Sequence, residues 1–272
     1  MHYYRATLEY DGTGYCGFQW QQDMATIQNE LNQSIKSIVE GKFSTMGASR
    51  TDSGVHALKQ VVKISAENAI DGRLMPTLLN TYLPPQVRCR DFSLCPGTFK
   101  PAHDSEAKVY HYYFSNERYL PSEQLRFVAN ISNPLEHEAM KVCVEKIRGT
   151  HDFKNFCSLG SNVKTTVREI FSCELSMGSP RDLFDGTEVF SMNEGPHSIY
   201  CLRIVGNGFL KQMIRHLVSA LWMVGSGKLS TDDFTALLAG GHREKRLWKV
   251  APANGLFLVD IHYPQRSFMA PD

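Results

Sequence analysis

The chain has no run approaching the ~20 consecutive apolar residues that a membrane-spanning helix needs. Its opening, Met-His-Tyr-Tyr-Arg-Ala-Thr-Leu-Glu-Tyr, lacks the apolar centre of a secretory signal and alternates like a strand. The expected compartment is therefore the cytoplasm, or an organelle interior if a targeting segment has been lost. Seven cysteines are an odd number, and no two of them form a CxxC pair. This argues against a structural zinc site and against a disulfide framework, and leaves the cysteines as small core residues. Net charge is nearly absent as well: 29 basic against 28 acidic residues leave +1. Bulk charge thus gives no sign of nucleic acid, although phosphate binding depends on how charge is distributed over a surface. One local basic run, His242-Arg243-Glu244-Lys245-Arg246-Leu247-Trp248-Lys249, has the pattern that a solvated face also produces.

What is present describes a globular protein. A chain of 272 residues, 42% hydrophobic and 21% charged, is long enough for two compact domains or one large one. Tyr4, Ala6, Leu8 and Tyr10 alternate as one face of a strand over residues 3–10. Ile27, Leu31, Ile35 and Ile38 recur at helical spacing, with Thr26 placed to cap the helix and Gly41 to close it. Strands at 43–49 and 58–66 flank a polar turn. A helix bearing Leu74, Leu78, Leu79 and Tyr82 ends at Pro84-Pro85, and a strand follows at 86–95. The order is βαββαβ, the ferredoxin-like plan.

The remainder repeats it. A strand at 107–115, a helix at 136–148, strands near 167–177 and 198–206, a helix over about 209–224, a short helix at 231–239 and a strand at 255–262 are expected. The fold class is thus α+β: two tandem ferredoxin-like halves with mainly antiparallel sheets flanked by helices. The expected division is 1–100 and 101–272, with the boundary in Pro96-Gly97-Thr98-Phe99-Lys100-Pro101 and an active-site cleft between the halves. Residues 178–197 form a Gly/Pro-containing insertion that reads equally well as a hairpin or a loop.

The segment richest in chemistry is Gly47-Ala48-Ser49-Arg50-Thr51-Asp52-Ser53-Gly54-Val55-His56-Ala57. It sets an arginine and a carboxylate in a turn between two apolar strands. Asp, Ser and Gly are common turn formers, so the composition alone means no more than a tight turn. The whole string, however, closely resembles the RTDxGVHA signature of the TruA family of pseudouridine synthases.

Four further segments resemble that family in the same order along the chain. They are Tyr10-Asp11-Gly12-Thr13-Gly14-Tyr15-Cys16-Gly17-Phe18-Gln19-Trp20-Gln21, Lys108-Val109-Tyr110-His111-Tyr112, Gly208-Phe209-Leu210-Lys211-Gln212-Met213-Ile214-Arg215, and Ala251-Pro252-Ala253-Asn254-Gly255-Leu256. Ser49, Ser53, Phe18 and Ser219 depart from the usual pattern without changing a catalytic residue type.

The resemblance implies an isomerase that converts uridine to pseudouridine in the tRNA anticodon stem-loop, without cofactor or metal. It assigns catalysis to Asp52, with Tyr110 and Arg215, and substrate binding to Arg50 and Tyr110. It also implies tRNA as partner and a homodimer. A dimer in which both subunits contact tRNA would reconcile the near-zero net charge with an RNA substrate. Pseudouridine formation breaks the N-glycosidic bond, turns the uracil and rejoins it through carbon. Attack of Asp52 at the ribose C1′, attack at the uracil C6, and proton abstraction to a glycal all remain open. Each needs a charged carboxylate where water is excluded, which burial opposes and a nearby cation offsets. Helical spacing would let Lys211 and Arg215, four residues apart, line one cleft. The resemblance gives Tyr110 the role of stacking on an extruded uracil and aiding removal of the C5 proton, and Arg50 that of holding the base out. Sheet packing for Tyr110, a turn cap for Arg50 and a surface ion pair for Arg215 are the plain alternatives. His56 is expected to be structural.

Three competing readings remain. A binding module on the same βαββαβ plan would show a Lys/Arg-Gly-Phe/Tyr-Gly/Ala-Phe run, and none occurs. A small-molecule enzyme would need a closed, narrow apolar pocket. A tRNA-folding helper would have no need to keep Asp52, Tyr110 and Arg215 together.

Overall fold

The computed structural model describes residues 1–158, 163–184, 198–240 and 248–268. The 178–197 insertion lies outside the described residues from 185 onward, as does the basic run from 242 to 247. The chain divides into two compact units. The first comprises Met1–Ala107 and the closing segment from Phe257; the second comprises the described residues from Lys108 to Leu256.

In the first unit β1 (His2–Tyr10), α1 (Ile27–Lys36), β2 (Phe43–Gly47), β3 (His56–Ala66), α2 (Met75–Tyr82) and β4 (Val87–Leu94) follow one another in βαββαβ order. β1 pairs antiparallel with both β3 and β4, and β2 pairs antiparallel with the second half of β3. The resulting order β4-β1-β3-β2 is the ferredoxin-like arrangement. Alternation on β1 puts Tyr4, Ala6, Leu8 and Tyr10 into the core, where Leu31 and Ile35 of α1 are also buried. α1 starts where Thr26 accepts a bond from the Asn29 amide at 3.3 Å. Leu31 is fully buried, so Leu31→Ala costs about 2–5 kcal/mol.

α2 carries apolar residues on two stripes. Met75, Leu79 and Leu83 face inward, while Leu74, Leu78 and Tyr82 are exposed. Both sets follow i, i+4 spacing, so periodicity alone offers two apolar faces and packing against β4 selects one.

In the second unit the order is β5 (Ala107–Ser115), α3 (Ser122–Leu125), β6 (Ala129–Asn130), α4 (His137–Ile147), β7 (Gly149–Asp152), β8 (Val167–Met177), α5 (Arg181–Phe184), β9 (Tyr200–Gly206), α6 (Met213–Gly225) and α7 (Thr231–Leu238). The sheet runs β5-β9-β8-β7 with antiparallel neighbours, and the short β6 joins β5 in parallel. Tyr112 and Phe114 each meet Trp222 of α6 edge-on, at ring-centroid distances of 6.1 and 5.7 Å. α7 is capped by Ser230, whose hydroxyl accepts from the Asp233 amide, and two aspartates occupy its first turn.

The last strand, β10 (Leu256–His262), belongs mostly to the first unit, where Phe257 and Leu258 pair in parallel with His56 and Ala57. β3 thus has β1 along its full length, β10 beside its first residues and β2 beside its last. β3 is buried along nearly its whole length in place of strict alternation, with only Lys59 exposed and Ser65 half-buried. Five cysteines are buried, and Cys16 and Cys95 are half-buried. No described helix is long and apolar enough to cross a membrane.

Candidate active site

Asp52 lies in the connection from β2 to β3. Arg50 is exposed, Asp52 half-buried and Thr51 buried. Hydrogen bonds fix this backbone from several sides. The Phe18 amide donates to the Thr51 carbonyl at 3.1 Å, and the Gly54 amide donates to the Tyr15 carbonyl at 3.2 Å. The Val55 amide closes the turn on the Asp52 carbonyl at 3.1 Å. Gly17, at φ 91°, makes the close approach possible, because a Cβ there would stand 2.6 Å from the Thr51 oxygen.

Side chains from the neighbouring strands complete the bracing. The Thr51 hydroxyl lies 2.7 Å from the Tyr10 hydroxyl. The Gln60 amide donates to the Ser49 carbonyl at 2.6 Å and accepts from the Ser49 amide at 3.1 Å. A two-point bond of this kind holds Ser49 in one orientation, three residues before Asp52. Phe18 is almost fully buried, and its ring takes the space that a side chain at Gly47 would need.

On the other flank of the turn, Asp11 and His56 are both fully buried. His56 Nδ1 is 3.0 Å from Asp11 Oδ1 and 3.1 Å from the Gly12 nitrogen. A ring nitrogen serves one of these at a time. The charged carboxylate makes the stronger bond, so Nδ1 carries the proton and donates it to Asp11. Burial pushes the Asp11 carboxyl up, but the hydrogen bond and charge of His56, joined by Thr13, outweigh burial and hold it down at about 2. The Thr13 amide donates to Asp11 Oδ1 at 2.9 Å. Gly12 fits only because it has no side chain, since a Cβ would lie 2.1 Å from the Val55 oxygen.

In the second unit, Tyr110 is 6% exposed on β5 and meets Phe209 edge-on, with ring centroids 5.1 Å apart. Tyr112 shares its strand face by alternation but is fully buried, and its hydroxyl donates to the Pro252 carbonyl at 2.8 Å. Burial drives the Tyr112 phenol far above its ordinary range, with Arg215 pulling the other way. The structure thus separates two tyrosines that the strand pattern leaves equivalent. Burial also brings the Lys108 amine down to about 8.

α6 starts at Met213, not at 209, because Gln212 takes a left-handed conformation at φ 59°. Lys211 therefore precedes the helix and is exposed, and the expected i, i+4 pairing of Lys211 with Arg215 on one helix does not exist. Of the thirteen residues of α6, all but Arg215 and Met223 are buried. Arg215 brings its positive charge into that setting with its Nε donating to the Ala251 carbonyl at 2.7 Å. Its own carbonyl accepts from the Ala251 amide at 3.4 Å. Arg215 and Tyr112 thus grip consecutive residues of the segment before β10.

The structure brings Arg50 and Asp52 together in one braced turn of the first unit and places Tyr110 and Arg215 in the second. Sequence reasoning missed the roles of Tyr10, Asp11 and Gln60. Tyr10 and Asp11 lie inside a matched segment, and this was their only signal.

A family described as tRNA pseudouridine synthase matches residues 6–100 and 144–264. The chain is similar to the tRNA pseudouridine synthase A of Acetivibrio thermocellus, with 34% identity over 97% of this chain and 100% of that one. It is similar to the protein of the same name from Geobacter sp. strain M21, with 33% identity over 97% and 100%. A third relative of that name, from Caldicellulosiruptor bescii, shares 31% identity over 94% of this chain and 98% of its own.

Proposed function

The chain belongs to the tRNA pseudouridine synthase family, and from that premise we propose that Asp52 is the carboxylate that opens the glycosidic bond of a tRNA uridine. The protein is an isomerase that forms pseudouridine in tRNA. The bond between C1′ and N1 breaks, one between C1′ and C5 forms, the C5 proton leaves and N1 gains one. Atoms and electrons balance with no second substrate.

The observation that carries the role of Asp52 is its setting. It is the one carboxylate in a turn whose backbone is bonded at Thr51, Asp52 and Gly54 and whose flanks are tied down at Ser49 and His56. A backbone held this firmly needs little rearrangement when the reaction begins. Arg215 is the positive charge of the proposed catalytic set, and its bond to Ala251 fixes the direction of its guanidinium. Tyr110 stacks on the extruded uracil and assists loss of the C5 proton, while Arg50 holds the base out of its stack. The target uridines are in the anticodon stem-loop. The working form is a cytoplasmic homodimer that shares each tRNA between its subunits.

The test is tritium release from [5-³H]uridine-labelled tRNA, followed by mapping of the modified positions and light scattering of the free protein. Release with sites in the anticodon arm and a dimeric mass is the expected outcome. A folded protein that binds tRNA yet releases no tritium from several tRNAs would overturn the reading.

A further inference from the structure

Only two described residues other than glycine have positive φ, Asp23 and Gln212. A short acidic side chain tolerates that region, whereas glutamine has no such local compensation. A strained residue persists only where its surroundings hold it in place. At Gln212 they do so through a small closed network.

Ser158 contacts this turn twice. Its amide donates to the Lys211 carbonyl at 3.0 Å, and its hydroxyl donates to the side-chain oxygen of Gln212 in a short hydrogen bond. His216 Nε2 lies 3.0 Å from the same hydroxyl. The directions of these bonds follow from valence. An amide oxygen can only accept, so the single hydroxyl proton of Ser158 goes to Gln212, and His216 must present Nε2–H to Ser158. The backbone amide of His216 in turn donates to the Gln212 carbonyl at 3.0 Å, as the first bond of α6. Gln212 is therefore held at its backbone by the helix and at its side chain by a chain that leads back to the same helix turn. His216 is 1% exposed, while Ser158 and Gln212 are half-buried.

Arg215 precedes His216 in that turn. We propose that Ser158, His216 and Gln212 form a clamp that sets the first turn of α6 and, through it, the orientation of Arg215. They are positioning residues for the reaction and do not touch the substrate. The inference rests on the reading of Arg215 given above.

The test compares four substitutions by single-turnover rate at saturating tRNA, by KM and by thermal midpoint. Ser158→Ala is expected to lower the rate about tenfold while KM changes less than about twofold. Ser158→Thr keeps the hydroxyl and is expected to restore most of the rate. Gln212→Gly relieves the positive φ and should hold or raise the thermal midpoint, yet it should slow the reaction as much as Ser158→Ala does. A purely structural role would move stability and rate together. In an Arg215→Lys background, Ser158→Ala is expected to add less than about a twofold loss.

Full rates in Ser158→Ala and Gln212→Gly, or losses that multiply independently with Arg215→Lys, would overturn the clamp. Arg215→Ala separates the two levels. If that variant is as active as wild type, the reading of Arg215 itself fails. If it is inactive while Ser158→Ala keeps its rate, only the clamp fails.

Discussion

His56 Nδ1 meets Asp11 Oδ1 at 3.0 Å with neither side chain exposed, joining the residue that follows β1 to the first residue of β3 across the Asp52 turn. The pair lies 45 residues apart in sequence, yet it closes one flank of the loop that carries the proposed catalytic carboxylate.

The pair has a signature in acid. Asp11 is held at about 2 against an ordinary 3.8, so the folded state binds its proton less readily than the unfolded state. Its contribution, about 2 kcal/mol, is fully present above about pH 4 and is lost as pH falls through about 2. Urea unfolding of wild type and Asp11→Asn should show a stability gap that is constant near neutrality and shrinks between pH 4 and 2. A gap independent of pH would mean that the carboxylate is not what His56 stabilises.

Gly17 lets Phe18 bond to the Thr51 carbonyl. Gly17→Ala combines a disfavoured φ with a Cβ 2.6 Å from that oxygen, so it should cost about 2–4 kcal/mol and displace the Asp52 turn. Gly14, also at positive φ but with nothing within 4 Å of its would-be Cβ, provides the comparison. Gly14→Ala should cost only about 1–2 kcal/mol and keep most of the activity. Equal losses of activity in the two variants would contradict the role given to the close approach.

Tyr110 and Tyr112 should separate in kinetics as they do in structure. Tyr112→Phe removes the bond to Pro252 and is expected to lower stability by about 1 kcal/mol with a rate within about threefold of wild type. Tyr110→Phe retains the ring and is expected to slow tritium release about 100-fold with little change in tRNA affinity. The reverse pattern would exchange their roles.

Much of this was legible in the sequence. Alternation located β1, aromatic and β-branched content located β5, the Thr26 cap located α1, and the order of elements gave the α+β plan with ferredoxin-like pairing. What escaped was set by contacts distant in sequence or by single torsions. α2 carries two apolar stripes, and only packing chooses between them. Leu210, Met213 and Ile214 fit a continuous helix, so nothing in the side-chain pattern announces the left-handed Gln212 that delays α6. β7 is four residues, Gly-Thr-His-Asp, too short and polar to alternate. At the site, Asp52 was marked by its motif, but Tyr10, Asp11 and Gln60 act from strands that local periodicity describes only as packing.

In the proposed reaction Asp52 performs the chemistry while its braced turn holds it in place. The most direct measurement is tritium release from [5-³H]uridine-labelled tRNA by wild type and Asp52→Asn, with tRNA affinity and thermal midpoint measured on both. A folded variant that binds tRNA within about threefold of wild type and releases tritium at least about 1,000-fold more slowly is the expected result. Release at the wild-type rate by Asp52→Asn would contradict it and assign the chemistry to another residue.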